Sequence, residues 1–255
     1  MKLRILGCGT SSGVPRVGND WGACDPAEPR NRRRRVSILV EGGGRRVLVD
    51  TSPDLREQLL DAGVSDIDAV IWTHDHADHC HGIDDLRQLF HARGAPVDGY
   101  ARADTLATLR ARFGYVFAGK NGYPAVAAAQ LLPDRLQAGD LCIRVVDQPH
   151  GPISSAGLRF ECDGKAIVYA TDFSQLTGDM ATLYAGADLL VIDALRERPH
   201  PSHPHLAQAL GWIEMLRPGR TLLTHMDQSM DYRSLRRTLP AGVAPAYDGL
   251  EITLS

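Results

Sequence analysis

The chain has 255 residues, 44% of them hydrophobic, and a formal net charge of −3. This is enough apolar material for one substantial core, which a single domain over residues 1–255 can bury, and too little net charge to argue for nucleic-acid binding or against it. No apolar run reaches the ~18 residues that span a bilayer, and Met1–Gly7 is too short and too soon broken by glycine for a secretory signal, so a soluble cytoplasmic protein is expected. The five cysteines are odd in number, widely spaced and without a CxxC pair. They fit neither a disulfide framework nor a four-cysteine zinc site.

The pattern begins with a strand at Leu3–Leu6. The run Asn31-Arg32-Arg33-Arg34-Arg35 follows, the densest charge in the chain; lacking interleaved aromatics, it reads as a solvated turn rather than a nucleic-acid contact. Strands at Ser37–Val40 and Arg46–Val49 flank Glu41-Gly42-Gly43-Gly44. This segment has the look of a hairpin turn and lacks the Lys and Ser/Thr of a phosphate loop. A helix at Asp54–Ala62 leads to a buried strand at Ala69–Trp72, then to helices at Asp84–His91 and Ala103–Phe113. Strands follow at Cys142–Val146, Gly157–Glu161 and Ala166–Tyr169. Helices at Asp179–Ala185, Leu206–Leu216 and Tyr232–Thr238 alternate with strands at Leu189–Ile192 and Thr221–Leu223, and a strand at Glu251–Leu254 closes the chain. This is an α/β pattern with hairpins in its first half and strand–helix alternation in its second. No internal sequence repeat stands out.

The chemistry concentrates in Thr73-His74-Asp75-His76-Ala77-Asp78-His79, directly after the Ala69–Trp72 strand. Imidazole with carboxylate is the donor mix that suits zinc, manganese or iron. His74 and His76 are two apart and project to one side of an extended loop; Asp78 and His79 lie a short turn further on. Four ligands do not close a two-metal site, so isolated ligands are expected at other strand ends. His150, Asp172 and His225 each follow an apolar run. Two metals about 3.5–4 Å apart would clamp a phosphoryl or acyl centre.

The motif His74-x-His76-x-Asp78-His79, followed by a distant His150, Asp172 and His225, resembles that of the metallo-β-lactamase superfamily. The resemblance runs from Gly7-Cys8-Gly9-Thr10 to Tyr247-Asp248-Gly249-Leu250-Glu251. It implies an α/β four-layer αβ/βα sandwich with the site at one edge. It also implies one metal on His74, His76 and His150, a second on Asp78, His79 and His225, and Asp172 bridging both. The ions would be two divalent metals, Zn or Mn, with Fe also compatible, and Asp78 would take part in catalysis as well as ligation. Asp50 matches an early Asp of the family at a strand end.

A second histidine cluster, Pro199-His200-Pro201-Ser202-His203-Pro204-His205, precedes the Leu206–Leu216 helix. It resembles the tRNase Z and cyclic phosphate phosphodiesterase branches of the superfamily, in which a His before such a helix protonates the leaving oxygen. The match assigns that role to His203, with His200 in reserve, and leaves His205 as a plain helix-start residue. The opening Gly7–Pro15 resembles the phosphodiesterase of the carbon–phosphorus lyase pathway. That branch carries extra cysteines for a structural zinc, where this chain has Cys24 alone. The expected function is dinuclear-metal hydrolysis of a small phosphodiester, through a hydroxide shared by the metals. Two other readings share parts of the pattern. One is a tRNA 3′-processing hydrolase, disfavoured because His91–Asp140 lacks a basic flexible arm and looks like a cover over a small substrate. The other is a non-catalytic metal-containing carrier related to the pyrroloquinoline quinone pathway protein. A homodimer is compatible with the sequence, although Leu86, Leu89 and Phe90 read as core.

Overall fold

Ile38, Val40, Val47, Val49 and Ile71 pack into one apolar core, whereas their sequence neighbours Leu39, Leu48, Val70 and Trp72 pack into another. Side chains alternate across a strand, so these segments form a sheet with both faces covered. That is why they read as continuous apolar runs.

In the computed structural model, which describes all 255 residues, the first sheet contains β1 (Lys2–Gly7), β2 (Ser37–Gly42) and β3 (Arg45–Val49). Helix α1 (Leu55–Ala62) then leads to β4 (Ala69–Ile71), the single-turn helix α2 (Ala77–Cys80) and α3 (Leu86–Arg93). The half ends with β5 (Val97–Ala101), α4 (Ala103–Ala118) and β6 (Ala127–Leu131). The second sheet contains β7 (Arg135–Ala138), β8 (Leu141–His150), β9 (Ile153–Cys162) and β10 (Lys165–Ala170). It continues through α5 (Gly178–Tyr184), β11 (Leu189–Asp193), α6 (Leu206–Leu216), β12 (Arg220–Thr224), α7 (Tyr232–Thr238) and β13 (Val243–Pro245). Strand β14 (Glu251–Thr253) returns to pair with β1.

The strand orders are β14-β1-β2-β3-β4-β5-β6 and β13-β12-β11-β10-β9-β8-β7. Starting from β14 in one and β7 in the other, both sheets show three antiparallel pairings and then three parallel ones. The larger core lies between the sheets and extends to α5, α6 and α7; the smaller lies under α1, α3 and α4. Two mixed sheets sandwiched between helices are the α/β architecture expected from the sequence. No helix is long and apolar enough to cross a membrane.

All ten expected strands and six expected helices are present, and β5, β6, β7 and β13 are additions. Three of these four are sheet edges, where half the ladder is unpaired and strand-forming residues are less needed. β13 even ends on Pro245, as edge strands allow. In β5, a Cβ on Gly99 would meet the Trp72 ring at 2.6 Å, so packing space rather than strand propensity selects that glycine. With β5, α4 and β6 in place, most of His91–Asp140 is helix and sheet rather than loop.

The arginine run also differs from expectation. Arg33 is not solvated: it is 2% exposed. Its Nη1 donates to the Asp227 carbonyl (3.1 Å), and its Nη2 donates to the Met230 carbonyl (2.5 Å) and to Asn31 Oδ1 (3.4 Å). It also approaches Cys24 Sγ at 3.9 Å. The loop around Cys24 is therefore tied to the loop after β12 by a buried guanidinium.

Glu28 ties the same region to α7. It accepts from Arg30 at 2.6 and 2.9 Å and from Arg233 at 2.7 Å. The Arg30 hydrogen bond above all holds its carboxyl down at about 2. An unfolded Glu titrates at about 4.3, so this stabilisation is complete above that pH and is lost as pH falls through about 2. Glu28→Gln is expected to be less stable than the parent at pH 7, with the gap narrowing from about pH 5 downward. Urea unfolding of both proteins across pH 3–7 checks this; a gap of constant size would assign the loss to packing instead.

Candidate metal centre

β4 is fully buried and ends one residue before Trp72, whose indole Nε1 donates to Thr51 Oγ1 at 2.9 Å. Thr73 then anchors the loop, donating from its backbone N (2.8 Å) and from Oγ1 (2.9 Å) to the Asp50 carboxylate. His74 Nδ1 lies 3.0 Å from Thr73 Oγ1, and His79 Nδ1 lies 2.7 Å from Asp50 Oδ2. These partners put the Nδ1 protons there and turn each Nε2 lone pair inward. His76 caps α2 in an extended conformation, and the single turn that follows swings Asp78 and His79 to the side that His74 faces.

The other ligand candidates come from strand ends across the second sheet. His150 is the last residue of β8, not a residue beyond it; its Nδ1 lies 3.0 Å from the Ser202 carbonyl. Asp172 follows β10 by two residues and His225 follows β12 by one. Asp50, Asp172 and His225 have φ of +64°, +56° and +57°, so each leaves its strand by a left-handed step that turns the side chain toward the gap between the sheets.

All seven expected ligand candidates meet there. The distances are 3.3 Å for His76 Nδ1 to His150 Nε2, 3.2 Å for His79 Nε2 to Asp172 Oδ2, and 3.4 Å for His225 Nε2 to Asp172 Oδ1. His79 Nε2 and His225 Nε2 each lie 3.5 Å from Asp78 Oδ2. Donors at about 2.0–2.1 Å from one tetrahedral ion stand roughly 3.3–3.4 Å apart. The donors fall into the groups His74, His76, His150, Asp172 and Asp78, His79, His225, with Asp172, His203 and His225 as a third grouping. The Nε2 atom of His74 is buried without a hydrogen-bond partner, a costly state unless something else takes its lone pair.

The charges point the same way. Burial alone would raise the Asp78 and Asp172 carboxyls, but the imidazoles of His79 and His225 hold both well below the usual range. Burial would lower His79 and His225, yet Asp172 with its neighbours lifts His79 far up and His225 to about 9. Burial and adjacent imidazoles push His74 and His150 down. The carboxylates thus demand positive charge, which protons supply in the bare chain and which a divalent cation fits.

Beside this cluster, His203 stacks on His225 (centroids 4.7 Å, 18°) and meets His150 edge-on at 4.9 Å. Its Nδ1 lies 2.8 Å from Asp193 Oδ2. Asp193, the fully buried last residue of β11, also accepts from the Asp172 backbone N at 3.1 Å. His200 stands one ring further out, 5.1 Å from His203, and accepts from Ser202 N at 3.3 Å within its own loop. His205 caps α6 without a capping bond. Sequence reasoning missed Asp193 and the Ser202 carbonyl. A carboxylate closing the apolar strand Leu189–Ile192 was the available signal for Asp193; a backbone oxygen leaves none.

Because the buried Asp172 and Asp78 favour the protonated forms of His79 and His225, an incoming cation has to displace those protons. Apparent metal affinity is therefore expected to rise as pH rises from 7. Calorimetric titration with Zn²⁺ at pH 7 in buffers of different ionisation enthalpy should report proton release. A buffer-independent heat would contradict the assignment.

A family model for the beta-lactamase superfamily domain matches residues 45–226. A curated protein of Porphyromonas gingivalis named octanoyltransferase is 34% identical over 258 residues, covering 98% of this chain and 51% of that protein. The chain thus spans about half the length of that relative. Among solved structures, a diphosphatase from the PhnP family is 36% identical with a TM-score of 0.90, covering 98% of this chain and 96% of that one. Zn²⁺-bound PqqB from Methylobacterium extorquens shares the fold, with a TM-score of 0.79 at 21% identity and full coverage of both chains. By fold, by motif and by the family model, the chain belongs to the metallo-β-lactamase superfamily of metal-dependent hydrolases.

Proposed function

We propose that the chain is a dinuclear-metal phosphodiesterase acting on a small phosphodiester. The observation that carries this reading is the His203–Asp193 pair set against the seven-donor cluster. His74, His76 and His150 would hold one divalent ion, Asp78, His79 and His225 the other, with Asp172 shared; Zn or Mn suits this donor set. Bound there, the ions would supply Lewis acidity and lower the pKa of water.

The chain's own residues do the rest. His76 is exposed while the other six donors are buried, so substrate approaches from the His76 side. The imidazole of His203 sits over His225 with Nδ1 fixed on Asp193, which leaves Nε2 to hold a proton and deliver it to the departing oxygen. Asp193 stabilises the imidazolium and fixes its rotamer, as a buried carboxylate does behind a catalytic histidine. His200, held within its own loop, has no comparable partner.

A second reading, hydrolysis of a diphosphate linkage, is favoured by the name of the 36%-identical structural relative. It uses the same groups, with a phosphate instead of an alkoxide as leaving group. Assays of metal-loaded protein on cyclic ribose phosphates and on dinucleoside diphosphates separate the two.

His203→Ala is expected to keep its metals, by elemental analysis, while losing about 10²–10⁴-fold in kcat on alkyl phosphodiesters. The loss should be far smaller on bis(p-nitrophenyl) phosphate, whose leaving group needs no proton. Unchanged turnover of the alkyl ester would remove His203 from the mechanism.

A further inference from the structure

Each imidazole in the first donor group except one has a partner in the chain that sets its ring. His74 has Thr73 Oγ1 and His150 has the Ser202 carbonyl. His76 is exposed, and the polar atom near its ring is His150 Nε2, itself a donor candidate. Its orientation therefore depends on the peptide that carries it.

That peptide is held from outside the loop. Helix α4 is fixed on the smaller core by Leu106, Leu109 and Val116. It breaks at Phe113, whose φ of −124° and ψ of 35° are non-helical. Just before the break, Arg112 Nη1 donates to the Asp75 carbonyl at 2.5 Å, and Nη2 pairs with Asp75 Oδ2 at 3.2 Å. Just after it, Phe113 packs edge-on against His81 (5.6 Å, 82°), and Tyr115 OH donates to Asp84 Oδ2 at 2.9 Å. The residues gripped, Asp75 before α2 and His81 after it, bracket the turn that carries Asp78 and His79. Cys80 Sγ, at 3.4 Å, also donates to the Asp75 carbonyl from below.

We infer that Arg112 is a positioning residue for His76, acting through both oxygens of Asp75, with the kink in α4 placing its guanidinium there. A planar fork that meets a backbone and a side-chain oxygen of one residue fixes the peptide's tilt as well as its position. Loosening that peptide therefore misaligns His76, while His74, set by Thr73, and His79, set by Asp50, stay in place.

This rests on His76 being a metal ligand, and the test separates the two claims. Protein stripped with chelator is titrated with Co²⁺ and followed by its visible d–d absorption, for the parent chain and for R112A, R112K, H76A and the double variant R112A/H76A. R112A is expected to weaken one of the two Co²⁺ sites about tenfold, as loss of a group behind a ligand does, and to leave the other unchanged. R112K, with one donor in place of the fork, should fall between. In the H76A background, R112A should cost nothing further. A merely structural role would weaken both sites together and keep its full effect in that background. Unchanged Co²⁺ affinity in R112A, or additive losses in the double variant, would overturn the inference. If R112A does not fold, R112K takes its place: a loss confined to one site supports the inference, and parental affinity overturns it. A parent chain that binds no Co²⁺ would instead sink the metal assignment.

Discussion

Four carboxylates and five imidazoles are buried, or nearly so, in the cleft between the sheets: Asp50, Asp78, Asp172 and Asp193 with His74, His79, His150, His203 and His225. Such a cluster is stable only with positive charge inside it. Burial and mutual repulsion push His74 and His150 toward neutrality, while the acids draw protons onto His79 and His225. Every element around the cleft is arranged to satisfy this constraint. Asp50 and Asp193 supply acceptors behind His79 and His203, Ser202 lends a carbonyl to His150, and Thr73 bridges His74 to Asp50.

The repeated pairing pattern of the two sheets explains where the groups come from. Asp50 leaves β3 and Asp172 follows β10, and these strands hold equivalent places: each is the last antiparallel partner and the first parallel one in its sheet. Both aspartates therefore stand just past the carboxyl ends of their strands, and both reach His79. One equivalent aspartate backs a histidine and the other lies among the donors, so similar backbone positions have been given different chemistry.

Much of the cluster was legible in the sequence because its histidines and aspartates stand in a particular order after apolar runs. Thr73–His79 after an apolar run, with His150, Asp172 and His225 at later strand ends, survives any reasonable error in element boundaries. Other features were illegible for physical reasons. β6 reads Ala-Ala-Ala-Gln-Leu, with no strand preference of its own; it is a strand because β5 offers it a ladder. Arg33 reads as a surface charge because its partners are backbone carbonyls nearly two hundred residues away. Asp193 reads as a strand end because the histidine it serves arrives on a loop whose path no local pattern records.

The left-handed steps at Asp50, Asp172 and His225 carry a cost that the fold has no need to bear for its own sake. Non-glycine residues occupy that region at a penalty of order 1–3 kcal/mol, and buried like charges add to it. A glycine at any of these positions would relax the backbone and remove an ionisable group at once. In the absence of metal, the chain is therefore under pressure to become more stable by losing its chemistry, the usual opposition between stability and activity. A metal held by this cluster would reverse the balance, since a ligand that prefers the folded state adds its binding free energy to folding.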